Sequence, residues 1–214
     1  MCFLTMDLLE LEFKTNPMEN VLPCDGVVNY HGPILTAAEQ RLYFNSLLSD
    51  VPWQHDELVM FGKHINTARK VAWYGDEGYA YAYSGATKHA LPWSDILLEL
   101  KARVEEHSRT SFNSCLLNLY HSGDEGMSWH SDDEDSLGTD PVIASLSLGA
   151  ARKFSFKHKD KRKQKTEGVS VTLEEGSLLV MREGSQTHWL HSLPKTRKVN
   201  EPRINLTFRT MVTI

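Results

Sequence analysis

The stretch PRINLTFRT, residues 202–210, alternates in character at almost every step. At the two-residue period of a β-strand, Arg203, Asn205, Thr207 and Arg209 share one face. Ile204, Leu206 and Phe208 share the other. The apolar face asks for a core. The polar face has two readings: a solvated edge, or an inner wall that holds an anion between two guanidinium groups. Burying an unpaired guanidinium costs several kcal/mol, so two inward arginines require an anion or acidic neighbours.

Similar short runs surround this stretch. SCLLNLYH, PVIASLSLG, KFSFKH, VSVTL, SLLVMR and THWLHS follow one another after residue 110, separated by Gly, Asp and Ser clusters. Many short strands joined by turns suggest a sandwich or barrel such as a jelly roll. The earlier part reads differently. Thr36 and Glu39 have the spacing of a capping box, opening a helix with Leu42, Leu47 and Leu48 as its apolar positions. A second helix is expected after Pro92, with Ile96, Leu97, Leu100 and Val104 at helical spacing to about Ser108. Between them, Pro52 to Gly85 is aromatic and Gly-punctuated, and YAYAYS reads as a strand with its tyrosines on one side. The expected class is α+β. Residues 1–110 form an extension with helices and a recognition lid, packed on a β core of residues 111–214.

With 214 residues, 24% of them charged, the chain has the composition of a soluble globular domain. It holds no uncharged apolar run long enough to span a bilayer. MCFLTMDLLELEF carries acids and no basic region, which argues against a secretory signal. Three widely spaced cysteines suggest reduced thiols and an intracellular setting, cytoplasmic in a bacterium and nuclear in a eukaryote. A monomer is expected. The net charge of −5 conceals an asymmetry: Arg152 to Lys165 holds eight Lys or Arg and one Asp, a local +7, so the remainder sums to −12. That is the pattern of a patch for a polyanion, or of a lysine-rich solvated loop.

In MSWHSDDED, His130 and Asp132 stand two apart, so an extended backbone projects imidazole and carboxylate to one side. By itself H-x-D is equally a surface histidine beside acids. THWLHS offers His188 and His191 as a third ligand. Two histidines and a carboxylate form the facial triad of non-haem iron oxygenases, which leaves positions open for substrate and oxygen. An anionic co-substrate chelating such a metal needs a cationic partner for its remote carboxylate, and the Arg203/Arg209 face supplies one. Asn118 and Tyr120 in LLNLYHSG alternate with leucines and add hydrogen-bonding groups.

N-x-Y, H-x-D, H-S-L-P and R-x-N-x-T-F-R occur in that order within the β-rich block. Together with FGK, YGDEG, YSG and SLSLGAARKFSFKHK, the chain from about residue 50 resembles the AlkB family of Fe(II)- and 2-oxoglutarate-dependent dioxygenases. The likeness is to the branch that repairs alkylated double-stranded DNA. The resemblance implies a double-stranded β-helix, with Fe(II), 2-oxoglutarate and O2 as the reacting set. It places iron on His130, Asp132 and His191, and 2-oxoglutarate on Asn118, Tyr120, Arg203, Asn205, Thr207 and Arg209, with Arg203 or Arg209 on the distal carboxylate.

The implied substrate is DNA carrying 1-methyladenine or 3-methylcytosine, cationic bases that call for aromatic faces and a carboxylate. By resemblance, Tyr81 and the His130 ring sandwich a flipped base, with Tyr83 nearby, and Asp133 accepts from its amine. Glu134 and Asp135 read as solvated turn residues. Phe61 before Gly62 is the implied wedge that enters the base stack. Arg69, Lys70, the 152–165 run, Lys195, Arg197 and Lys198 are candidates for phosphate contacts. TRK at 196–198 departs in its first position from the all-basic triplet expected of the duplex-acting branch. The same chemistry on RNA or a protein side chain, and a non-catalytic nucleic-acid-binding module, are the competing readings.

Overall fold

The computed structural model describes residues 16–60, 63–76, 80–83, 86–163 and 169–212. Strand β13 (Arg203–Arg209) lies between β6 (Ser114–Tyr120) and β8 (Ile143–Gly149), antiparallel to both. Both its edges are therefore paired, and the solvated-edge reading fails. The register sets Arg203 opposite Tyr120 and Gly149, and Asn205 opposite Asn118 and Ser147. Directly opposed residues share a face, so these polar side chains form one inner wall. The reverse face of the same strands carries Leu117, Leu119, Leu146, Leu148, Ile204, Leu206 and Phe208, all buried.

Two helices cover that apolar face. Helix α1 (Ala37–Asp50) starts at the expected capping box: Thr36 Oγ1 accepts from the Glu39 amide, and Glu39 Oε2 from the Thr36 amide. Its inward stripe is Tyr43 and Leu47, four apart; the expected Leu42 and Leu48 fall off that stripe and are exposed. Helix α2 (Asp95–Ser108) begins at Ser94 and buries Leu97, Leu100 and Val104 as anticipated. Each of these leucines contributes about 1.5–3 kcal/mol by leaving water.

The large sheet adds β1 (Val27–Pro33), β2 (Gln54–Met60), β3 (Lys63–Gly75) and β11 (Ser177–Arg182), in the order β1-β11-β8-β13-β6-β3-β2. Strands β1, β2 and β3, all before residue 110, are hydrogen-bonded into the same sheet as β6, β8, β11 and β13. A short hairpin, β4 (Ala80–Tyr83) with β5 (Ala86–His89), stands apart from both sheets.

The smaller sheet runs β10-β9-β12-β7, from β7 (Met127–His130), β9 (Arg152–His158), β10 (Val169–Leu173) and β12 (Trp189–Leu193). It faces the polar wall across a second core that joins Tyr120, Ile143 and Met181 to Phe154, Phe156, Trp189 and Leu193. Two antiparallel sheets enclosing such a space, with helices outside, make the expected jelly roll. THWLHS is only partly strand. Ser185–His188 is one helical turn, α3, after which β12 begins. Among the described residues no helix is long and apolar enough to cross a membrane.

Candidate metal and co-substrate site

The pairing of β12 with β7 sets His191 directly opposite His130. Their Nε2 atoms lie 3.1 Å apart, with ring centroids 4.2 Å apart. His130 Nδ1 is 2.7 Å from the Ser128 carbonyl. A carbonyl only accepts, so Nδ1 carries the proton and Nε2 presents its lone pair. His191 is buried, and burial drives its pKa down to about 3, keeping the ring neutral. Asp132 completes the group, with one donor atom of each residue within 4.8 Å of the others. Burial raises the Asp132 pKa, but Arg209, His191 and His130 outweigh that and hold it below the usual carboxylate range. Two imidazole nitrogens and a carboxylate, held close together, are the donor set of a divalent transition metal.

His188 belongs elsewhere. It is exposed on α3 and stacks on His158, rings 6.2 Å apart and 6° from parallel. Cys24, Asp25 and His158 form a second cluster of potential donors. Here the tautomer is the wrong one: the Asp160 amide donates to His158 Nδ1, so Nε2 carries the proton and donates a hydrogen bond to Asp25 Oδ2, 3.1 Å away.

The two arginines of β13 have different surroundings. Arg209 Nη2 donates to Asp132 Oδ1 at 3.0 Å. Arg203 is 2% exposed; its Nη2 donates to Ser147 Oγ at 2.9 Å and its guanidinium lies over the Tyr120 ring at 5.6 Å. Among the described residues it has no carboxylate partner. Burial pushes its pKa down to about 10, so it stays charged at neutral pH. The Nε atoms of both arginines and Oδ1 of Asn118 are buried, with no hydrogen-bond partner among the described residues. Asn205 donates to Ser145 Oγ and the Leu146 carbonyl and accepts from Thr207 Oγ1, so it holds the wall together.

A cavity of about 60 Å³ collects His130, Asp132 and His191 together with Asn118, Tyr120, Arg203, Asn205, Thr207 and Arg209. A second of about 630 Å³ shares His130, Asp132 and Arg209, and extends along β3 past Arg69 and Trp73 to His89 and Glu134. Arg69 is buried there, Nη1 at 3.2 Å from Met127 Sδ, and so is not placed on the outer surface for phosphates. Glu134 lines this cavity. Asp133 does not: it is exposed, and accepts from Ser131 Oγ and Lys159 Nζ. Lys198, Lys195 and Arg197 are exposed between β12 and β13. Tyr81 and Tyr83 alternate on β4, where only the backbone is described; Phe61 and Gly62 lie outside the described residues.

The basic run loses its first member. Arg152 is 2% exposed and donates to the carbonyls of Ser122, Gly123, Glu125 and Pro194. Lys157 lies over the Trp129 ring at 4.4 Å, and Arg162 pairs with Asp160. Sequence reasoning also missed Ser145, Ser147 and Gln186. The two serines were visible as alternation in IASLSLG; Gln186, whose Oε1 accepts from the Asp132 amide, carried no local signal.

The profile of the 2OG-Fe(II) oxygenase superfamily matches residues 26–209. Alpha-ketoglutarate-dependent dioxygenase alkB homolog 3 of Bos taurus is 38% identical over 208 residues, covering 94% of this chain and 70% of that protein. DNA oxidative demethylase ALKBH2 of Homo sapiens is 41% identical over 182 residues, covering 82% and 70%. Across such relatives the chain spans between 57% and 81% of their length. A solved structure of OsALKBH1 superposes with a TM-score of 0.57 at 15% identity, over 88% of this chain and 98% of that one, which speaks to the fold alone. With the donor set in place, a profile matched over most of the chain and relatives near 40% identical, this chain belongs to the 2OG-Fe(II) oxygenase superfamily, in its AlkB branch.

Proposed function

We propose that this chain is an oxidative demethylase that repairs DNA bases methylated on a ring nitrogen, using iron(II), 2-oxoglutarate and O2. The observation that carries the reading is the charged, buried Arg203, which lacks an acidic partner among the described residues and shares a cavity wall with the three metal donors. Buried cations are otherwise paired, and a dicarboxylate bound to the metal would supply the missing charge.

His130 Nε2, Asp132 and His191 Nε2 would hold the iron. Arg203 would take the distal carboxylate, with Tyr120 and Asn118 beside it and Thr207 below. Arg209 keeps Asp132 ionised and oriented. With these bound, the iron, 2-oxoglutarate and O2 supply hydroxylation of the N-methyl carbon, with succinate and carbon dioxide as co-products. The N-hydroxymethyl base then loses formaldehyde and regains its pairing edge.

The chain's own part is to receive and orient the base away from bulk water. The larger cavity opens onto His130 and Asp132 and is mostly apolar, which suits a flat, cationic base turned out of its stack. Glu134, on the cavity wall, replaces Asp133 in our assignment as acceptor from the exocyclic amine. The ring of His130, with Tyr81 or Tyr83, would stack on the base; Phe61 and Gly62 would fill the gap it leaves. Arg69 would face the base from within, and Lys198 with the exposed lysines after Lys153 would meet phosphates. The names of the relatives support DNA as the substrate, and the likeness of Phe61-Gly62 in the sequence to the wedge of the duplex-acting branch supports a duplex.

The test is to incubate the protein with 1-methyladenine and 3-methylcytosine in single-stranded DNA, duplex DNA and RNA, with Fe(II), ascorbate and O2, with and without 2-oxoglutarate. Nucleosides are then quantified by mass spectrometry. Loss of methyl from DNA only when 2-oxoglutarate is present is the expected outcome. No loss from any substrate, with iron bound, would overturn the reading.

A further inference from the structure

Asp132 lies beyond the end of β7, whose last ladder pair is His130 with His191. Its amide is therefore outside the sheet, on a residue only 4% exposed. That amide is satisfied by a side chain from distant sequence: it donates to Gln186 Oε1 at 2.9 Å. An amide N–H can only donate, which fixes the orientation of the glutamine. Gln186 Nε2 then faces Ser185 Oγ at 3.3 Å and Met181 Sδ at 3.5 Å, both weaker partners. Gln186 is 1% exposed, so its bond to Asp132 is made without competition from solvent.

The glutamine is itself held from three directions. It sits on α3, five residues before His191, so it is continuous with the strand that carries a second metal donor. Lys159 Nζ donates to the Gln186 carbonyl at 2.8 Å and to Asp133 Oδ2 at 3.3 Å, closing over both segments from outside. The N-terminal turn closes the other side. Trp189 Nε1 donates to the Cys24 carbonyl at 2.9 Å, and a Cβ on Gly26 would stand 2.9 Å from Ser185 Cα, so only glycine permits that approach.

We infer that Gln186 is a positioning residue for the metal site: it clamps the backbone of Asp132 to the segment bearing His191, and so fixes the carboxylate relative to the imidazoles. This rests on the reading of His130, Asp132 and His191 as metal donors. The Ser128 carbonyl orients His130, Gln186 orients Asp132, and the sheet register orients His191, so each donor has its own support. Partners of this kind alter metal affinity on the order of 10- to 100-fold when removed.

The test replaces Gln186 by Met, which keeps the volume and removes the acceptor, and titrates the whole protein with Co(II), following the d–d absorption bands. The expected result is a dissociation constant raised roughly tenfold or more with an altered band envelope, while the metal-free protein unfolds near the wild-type temperature. Wild-type affinity and spectrum in Gln186→Met would overturn the inference. If wild-type protein itself bound no Co(II), the donor reading would fall first. A measurement on the unmutated protein covers the case where the variant does not fold. In metal-free wild type, amide hydrogen exchange at Asp132 should be as slow as in the ladder of β12; exchange as fast as at exposed Asp133 and Glu134 would equally overturn the claim.

Discussion

Replacing Arg203 by Met separates co-substrate binding from every other role of the site. Arg203 is 2% exposed, and among the described residues its guanidinium makes one hydrogen bond, to Ser147 Oγ, with Nε unpartnered. In the protein without 2-oxoglutarate it is a charge held out of water with little return, and exchanging such a group for an apolar side chain is commonly neutral or stabilising. The Tm of Arg203→Met, measured without co-substrate, should therefore match or exceed that of wild type. With 2-oxoglutarate the order reverses. A charge-assisted bond to a carboxylate is worth about 1.5–3 kcal/mol, and stranding the ligand's buried carboxylate raises the loss to about 3–5 kcal/mol. At 1.4 kcal/mol per tenfold, the Kd for 2-oxoglutarate should rise by roughly 100- to 4,000-fold. The assay is differential scanning fluorimetry with Mn(II) in place of iron. Ligand at 100 times its Kd stabilises wild type by about 2.7 kcal/mol, a Tm increase of roughly 5–10 °C for a chain of this length. At the same concentration the variant should shift by under about 1 °C. Binding of methylated DNA should be unchanged. A full 2-oxoglutarate shift in Arg203→Met, or a matching loss of DNA binding, would refute the reasoning and make Arg203 a phosphate contact.

Four further substitutions test other parts of the structure. Asp132→Ala should abolish turnover and Co(II) binding, and also cost about 1.5–3 kcal/mol of stability by removing the charged hydrogen bond to the part-buried Arg209; urea denaturation of the metal-free protein reads this directly. Glu134→Gln should lower kcat/KM on 1-methyladenine by roughly tenfold to a hundredfold, the scale of one charged hydrogen bond, with the KM for 2-oxoglutarate unaltered. Asp133→Asn should change kcat/KM less than about threefold, and a larger effect there than in Glu134→Gln would restore Asp133 as the base contact. Gly123→Ala should cost about 1–3 kcal/mol by overpacking, because its Cβ would collide with the carbonyls of Thr196 and Val199; thermal unfolding measures it, and a wild-type Tm would show that the loops move apart freely.

The contrast between Arg203 and Arg209 shows how far the sequence reaches. That the two share a face with Asn205 and Thr207 follows from the strand period alone, and the structure keeps it. The capping box at Thr36 and the stripe of α2 were legible for the same reason: each is set by residues within a few positions of one another. The H-x-D pair was legible too, because its geometry is that of a single extended segment. The order of the motifs along the chain carried the family. Which arginine meets Asp132 and which stays without a carboxylate is not a property of β13. It depends on where the turn after β7 crosses the wall. Spacing alone does not choose His191 over His188; the H-S-L-P resemblance does, and the pairing of β12 with β7 after a single helical turn supplies the physical reason. Arg152 looked like the head of a basic patch and is instead buried among four carbonyls from two loops. Glu134 lines the larger cavity while its neighbour Asp133 does not, and Gln186 acts on a residue 54 positions away. Periodicity and caps are local, so the sequence determined the faces, the helix starts and the donor types. Partners, burial and tautomers depend on what packs against each face, and only the tertiary structure decided those.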